Sequence, residues 1–70
     1  MPLTMAEIGT DYVIKAVIGN DKIKHHLQSL GFTQGATVIV VSQMNGNFIV
    51  NVRETRIAIS RQMANKILLD

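Results

Sequence analysis

The hydrophobic period of this chain changes twice. From Tyr12 to Ile18 the residues are almost all apolar, with Lys15 the one charged position. β-branched and aromatic side chains in such a run predict a strand. Period two places Ile14, Ala16 and Ile18 on the face opposite Lys15. Gly19-Asn20-Asp21 interrupts the run, and either Asn20 or Asp21 suits a helix N-cap. From Lys22 to about Leu30 the period is helical: Ile23, Leu27 and Leu30 form one apolar stripe. Lys22, Lys24, His25 and Gln28 fall mostly off it. So short a helix needs its stripe packed against a sheet. At Leu30-Gly31-Phe32-Thr33-Gln34-Gly35 the pattern switches back. Gly31 stands where a helix ends with positive φ, and Gly35 where the chain turns tightly into a strand. Phe32 is placed for the hydrophobic contact that accompanies a glycine cap.

Thr37 to Gln43 then reads as strand, and Met44-Asn45-Gly46-Asn47 as a hairpin turn between apolar runs. The return strand, Phe48 to about Arg53, alternates. Phe48, Val50 and Val52 share one face and Asn47, Asn51 and Arg53 the other, with Ile49 the apolar exception. Glu54-Thr55 makes a tight connection to Arg56–Ser60, where Ile57 and Ile59 point inward. Ser60 caps one further helical turn, Arg61 to Asn65, with Met63 and Ala64 available to the core. Ile67 to Leu69 forms a last short strand. At the other end, Thr4-Met5-Ala6-Glu7 reads as a capping box opening a one-turn helix that Gly9 ends. Its expected role is to plug the core with Leu3, Met5 and Ile8. The result is a mainly β fold of five short strands with one inserted short α-helix and helical turns near both ends. Tight turns favour closure into a small barrel, which removes strand edges.

Composition narrows this little. Seventy residues, without repeat or linker, make a single domain over residues 1–70. An apolar fraction of 47% supports a folded core, and without cysteine there is no disulfide or thiolate metal site. The longest unbroken apolar run, Val38 to Val41, is far short of a membrane span, and the first residues do not read as a signal peptide. A soluble, cytoplasmic protein is expected. The net charge of +2 rests on a small excess of cations. The aromatics are Tyr12, Phe32 and Phe48, two of them in apolar positions, which leaves no stacking platform for nucleic acid.

Candidate chemistry is sparse. Glu7, Asp11, Asp21, Glu54 and Asp70 fall in caps, turns or the terminus, and no catalytic triad order, phosphate loop or dinucleotide fingerprint is present. A non-enzymatic protein is expected. Gly31-x-x-x-Gly35 leads into a strand, so it lacks the helix N-terminus that binds phosphate. His25 and His26 point about 100° apart on a helix and cannot converge on one ion. Asp21 and His25 have i, i+4 spacing, but two ligands make a weak site. Asp21, His25 and His26 are thus weak candidates for a divalent metal, with His26 expected half-buried beside the stripe. The cations suggest docking instead. Lys22, Lys24 and His25 lie on the outer helix face, while Arg53, Arg56 and Arg61 gather around the second hairpin and the last turn. With Met44 at a hairpin tip, these are the candidate partner-binding residues, suited to an acidic protein patch.

Leu27-x-x-Leu30-Gly31-Phe32-x-x-Gly35-x-x-Val38, followed by a hairpin and Ile57-Ala58-Ile59-x-x-x-x-Ala64-x-x-Ile67, resembles the FeoA family over nearly the whole chain. The resemblance implies an SH3-like barrel. It further implies a non-enzymatic role in ferrous iron uptake, through contact with the cytosolic G-protein region of the membrane transporter FeoB. Leu27, Leu30, Gly31, Phe32 and Gly35 carry the motif. The basic positions before it are Lys24, His25 and His26 here, and Glu54-Thr55-Arg56 replaces a glycine common before the Ile-Ala-Ile strand. No cofactor is firmly implied; weak binding of Fe(II) or another divalent transition metal is the alternative, as a metal-binding or metal-sensing domain. A small nucleic-acid-binding barrel is the remaining one.

Overall fold

Every predicted strand forms. The computed structural model describes residues 1–70 and orders them as a 3-10 turn at Leu3–Met5, β1 (Asp11–Val17), α1 (Asp21–Ser29), β2 (Thr37–Met44), β3 (Asn47–Val52), β4 (Thr55–Ser60), α2 (Arg61–Ala64) and β5 (Ile67–Leu69). All pairings are antiparallel, in the order β4-β3-β2-β1-β5. β1 turns the corner of the sheet: Asp11 to Val13 pair with β2, and Ile14 to Val17 pair with β5. The sheet curls around one core of 14 buried residues, all of them apolar.

Closure is completed by packing rather than by a ladder. No pairing joins β4 to β5. On the β5 side, Pro2 bridges Leu68 and Leu69 N–H donates to Met1 O at 2.6 Å. The Thr4 hydroxyl donates to Asn65 Oδ1 at 2.8 Å, tying the N-terminal turn to the end of α2. Expected full closure therefore gives way to a curled sheet whose β4 edge stays open.

The helix forms as its pattern demands. Asn20, not Asp21, is the cap, its Oδ1 accepting from Ile23 N–H at 2.8 Å. Leu27 is fully buried, with Ile23 and Leu30 packed half-buried beside it. At the C-terminus Gly31 has φ +110°. Gly31 N–H donates to Gln28 O at 3.0 Å and Phe32 N–H to Leu27 O at 3.1 Å. That pair of bonds is a Schellman motif. It carries Phe32 directly into the core, where its side chain is fully buried. Gly35, at φ +87°, then donates to Ile14 O at 2.8 Å and starts the chain into β2.

Two local expectations fail for identifiable reasons. The N-terminal turn starts at Leu3, after Pro2, whose fixed φ sets the entry; it has no side-chain cap. Thr4 therefore lies inside the turn, and Glu7 N–H donates to Tyr12 Oη at 3.0 Å instead of closing a capping box. Met5 and Ile8 are 68% and 59% exposed, so Leu3 alone plugs this end. In β1 a bulge between Ile14 and Ala16 shifts the alternation. Val17 turns to the core and Ile18 to solvent, the reverse of the period-two reading.

Both hairpins have two-residue turns with positive φ throughout. Asn45 and Gly46 (φ +51° and +80°) match the residue preference for such a turn. Arg53 and Glu54 (φ +47° and +65°) do not, and they are held there by the Val52–Thr55 pair. Left-handed backbone costs a side-chain-bearing residue about 1–2 kcal/mol, partly offset by the greater unfolded-state freedom of a glycine replacement. Glu54→Gly should therefore stabilise the domain by about 0.5–1 kcal/mol, read as a melting temperature raised by about 4 °C. An unchanged or lowered midpoint would contradict the strain.

Candidate interaction surface

The sheet has an inner face, which forms the core, and an outer face, which carries Arg56 and Met44 of the candidate residues. Register sets the outer rows. Asp11, Ile39, Asn51 and Arg56 lie side by side across β1 to β4. Beyond a bulge in β2 between Val40 and Ser42, Ser42, Ile49 and Ala58 form the next row, and Met44, Asn47 and Ser60 the one after. Ile39, Val41 and Ile49 are half-buried on this face without joining the core, and Met44 is exposed at its end. The outer face is thus an apolar strip flanked by polar and charged residues.

The arginines expected to gather divide instead between the two ends of β4. Arg56 lies on the outer face, with Nε donating to Asn51 Oδ1 at 3.0 Å. Arg53, in the adjoining turn, donates to Thr33 Oγ1 at 2.6 Å. Both acceptors are neutral, so the hydrogen bonds orient the guanidinium groups without cancelling their charge. Arg61 lies five residues beyond Arg56, roughly 17 Å along the strand direction. Its guanidinium carbon sits 5.4 Å from the centre of the Phe48 ring, a cation–π contact, and the Arg61 backbone N–H donates to Gly46 O at 3.0 Å. Arg61 and Met44 therefore flank the first hairpin, while Arg53 and Arg56 flank the second.

Lys22, Lys24 and His25 occupy α1, a third location. Lys24 is half-buried and the other two are exposed. His26 is exposed as well, against the expectation of half burial, because the stripe turns Leu27 rather than its neighbour toward the sheet. Asp21, His25 and His26 stay on the solvent side of α1, and no group of three or more His, Cys, Asp or Glu side chains is placed to hold a metal ion. No pocket opens in the surface, and no helix is long and apolar enough to cross a membrane.

Asn51 and Thr33, which orient the arginines, and Ala58, exposed beside Arg56 on the same strand, are not among the expected site residues. Asn51 and Thr33 lie five and twenty positions from the arginines they orient; the β3–β4 register brings the first pair together and the packing of the helix end against the second hairpin the other. For Asn51 a signal did exist: a polar residue alternating with buried Val50 and Val52 marks the outer face.

Comparison with known proteins bears on the whole chain. The FeoA domain family model matches residues 1–70. A protein of Methanocaldococcus jannaschii named "Putative Fe(2+) transport protein A" is 29% identical over 69 residues, covering 99% of this chain and 84% of its own length. A crystal structure of an iron uptake regulatory protein, FeoA, superposes with a TM-score of 0.90 at 26% identity, over 99% of this chain and 93% of that one. The zinc-complexed FeoA of Stenotrophomonas maltophilia, described as an SH3 domain protein, gives 0.87 at 29% identity, over 100% and 89%. The five-stranded curled sheet is accordingly SH3-like.

Proposed function

The chain belongs to the FeoA domain family, and from that premise we propose that it acts in ferrous iron transport as a non-enzymatic cytoplasmic accessory protein. Its role is to dock on the cytosolic G-protein region of an FeoB-type membrane transporter and so adjust opening or nucleotide turnover. Support comes from a family match over the full chain together with oriented arginines whose charge has no neutralising partner. Preoriented cations lose little freedom on binding, and they suit an acidic patch.

The test is a calorimetric titration of the protein into the soluble G-protein region of the FeoB transporter from the same organism. A dissociation constant on the order of 10 µM or tighter is expected. Of the three cationic groups, the pair Arg53 and Arg56 at the second hairpin is the one oriented by neutral side-chain acceptors. Reversing both to glutamate should weaken binding about ten-fold, against about two-fold for Lys22→Glu with Lys24→Glu. Absence of heat or shift at a hundred micromolar would defeat the reading.

A further inference from the structure

We infer that the open edge of β4 takes up an extended acidic segment of a partner as an additional strand. β4 ends the strand order, and no other strand pairs with it beyond β3. The backbone groups it offers follow from the register. Val52 and Thr55 flank a two-residue turn and form a hydrogen-bonded pair; pairs of this kind alternate with unbonded ones along an antiparallel ladder. Arg56 and Ala58 therefore belong to the unbonded pairs, Asn51–Arg56 and Ile49–Ala58. Their N–H and C=O groups point away from β3, toward solvent. Thr55, Arg56, Ala58 and Ser60 are all exposed, so nothing in the chain covers this edge. It also lacks proline and any bulge, the usual protections of an edge.

The side chains beside those groups select the occupant. On the outer face Ala58 is small and lies next to half-buried Ile49, which forms a low apolar shelf at the edge. A residue added opposite Ala58 reaches across it to Ile49. Two positions away, a residue added opposite Arg56 meets a guanidinium already oriented by Asn51. The complementary segment thus has an apolar residue with a carboxylate two positions from it, the spacing that places both on one face of a strand. A second copy of this chain is the poorer occupant. Antiparallel pairing of two β4 strands centred on Ala58 would set Arg56 of each beside Ser60 and Arg61 of the other. The arginines of both copies would then crowd one seam, and like charges across a ladder repel.

The probe is a blocked seven-residue peptide, Thr-Val-Thr-Glu-Thr-Val-Thr, whose valines and glutamate stand two positions apart and so share one face, with a counterpart carrying lysine in place of glutamate, titrated into the full-length isotope-labelled protein and followed by amide NMR. The glutamate peptide is expected to bind with a dissociation constant on the order of 1 mM and to shift and protect the Arg56 and Ala58 amides. Ala58→Pro removes an outward N–H that no internal ladder uses, so the fold should persist while binding weakens about ten-fold. Arg56→Glu should transfer the preference to the lysine peptide, a gain that loss of folding cannot imitate. The inference is overturned if neither peptide moves the Arg56 and Ala58 amides, if Arg56→Glu leaves the preference unchanged, or if β4 pairs with a second copy in sedimentation. Transporter docking that leaves these amides unmoved would overturn it too, while leaving the docking itself intact.

Discussion

Phe32→Ala is expected to leave the domain largely unfolded at room temperature. The ring is fully buried, at the point where α1 hands the chain to the sheet. Truncating a core phenylalanine costs about 3–5 kcal/mol through lost transfer energy and the cavity left behind. A domain of this size has about 3–10 kcal/mol in total, and a core of 14 residues without a disulfide places it toward the lower end. Urea denaturation followed by circular dichroism checks this: the baseline at zero denaturant should already show loss of strand signal. Phe32→Leu, which keeps most of the volume, should cost only about 1–1.5 kcal/mol and retain a cooperative transition. If the alanine variant lost less than about 1 kcal/mol, Phe32 would not be the centre of this core.

Gly31→Val should cost about 2–3 kcal/mol, with Gly31→Ala costing less. The reason is backbone conformation. At φ +110° a β-branched residue is far outside its allowed regions, whereas glycine is at ease there. Space is a smaller factor, since a Cβ at Gly31 would lie 3.6 Å from Val52 Cγ1, an ordinary contact. The strain also falls on the Schellman bonds from Gly31 and Phe32, so the loss should be accompanied by fraying of α1. Amide exchange separates the cases: Phe32 N–H should lose protection before the β2–β3 ladder does. A valine variant as stable as the parent would mean that the helix can end another way.

Where residues interact with near neighbours, their arrangement was legible from the chain. The stripe Ile23, Leu27 and Leu30, the glycine stop at Gly31, the Asn45-Gly46 turn and the alternation of Phe48, Val50 and Val52 all appear as read. Each depends on a local period or a local φ requirement. The errors share a different cause. Thr4 could not be seen to seek Asn65, 61 positions away, rather than its own helix cap. The β1 bulge exchanged Val17 for Ile18 because one strand must serve both β2 and β5, a demand that appears nowhere in the local pattern. Arg53, Arg56 and Arg61 are near in sequence, yet β4 runs straight between the last two and holds them apart.

By itself, then, the order of apolar and polar residues determined which segments are strands or helix, which faces the helix, β2, β3 and β4 bury, and the family the chain resembles. Those outcomes follow from short-range sterics and from the periods of 2 and 3.6, which any stretch of chain carries within itself. Only the tertiary structure decided which strand lies at the margin, which cations share a surface, and that the sheet closes by packing and leaves β4 with backbone groups unpaired. Those depend on register and on the meeting of distant segments, where one core has to satisfy every element at once.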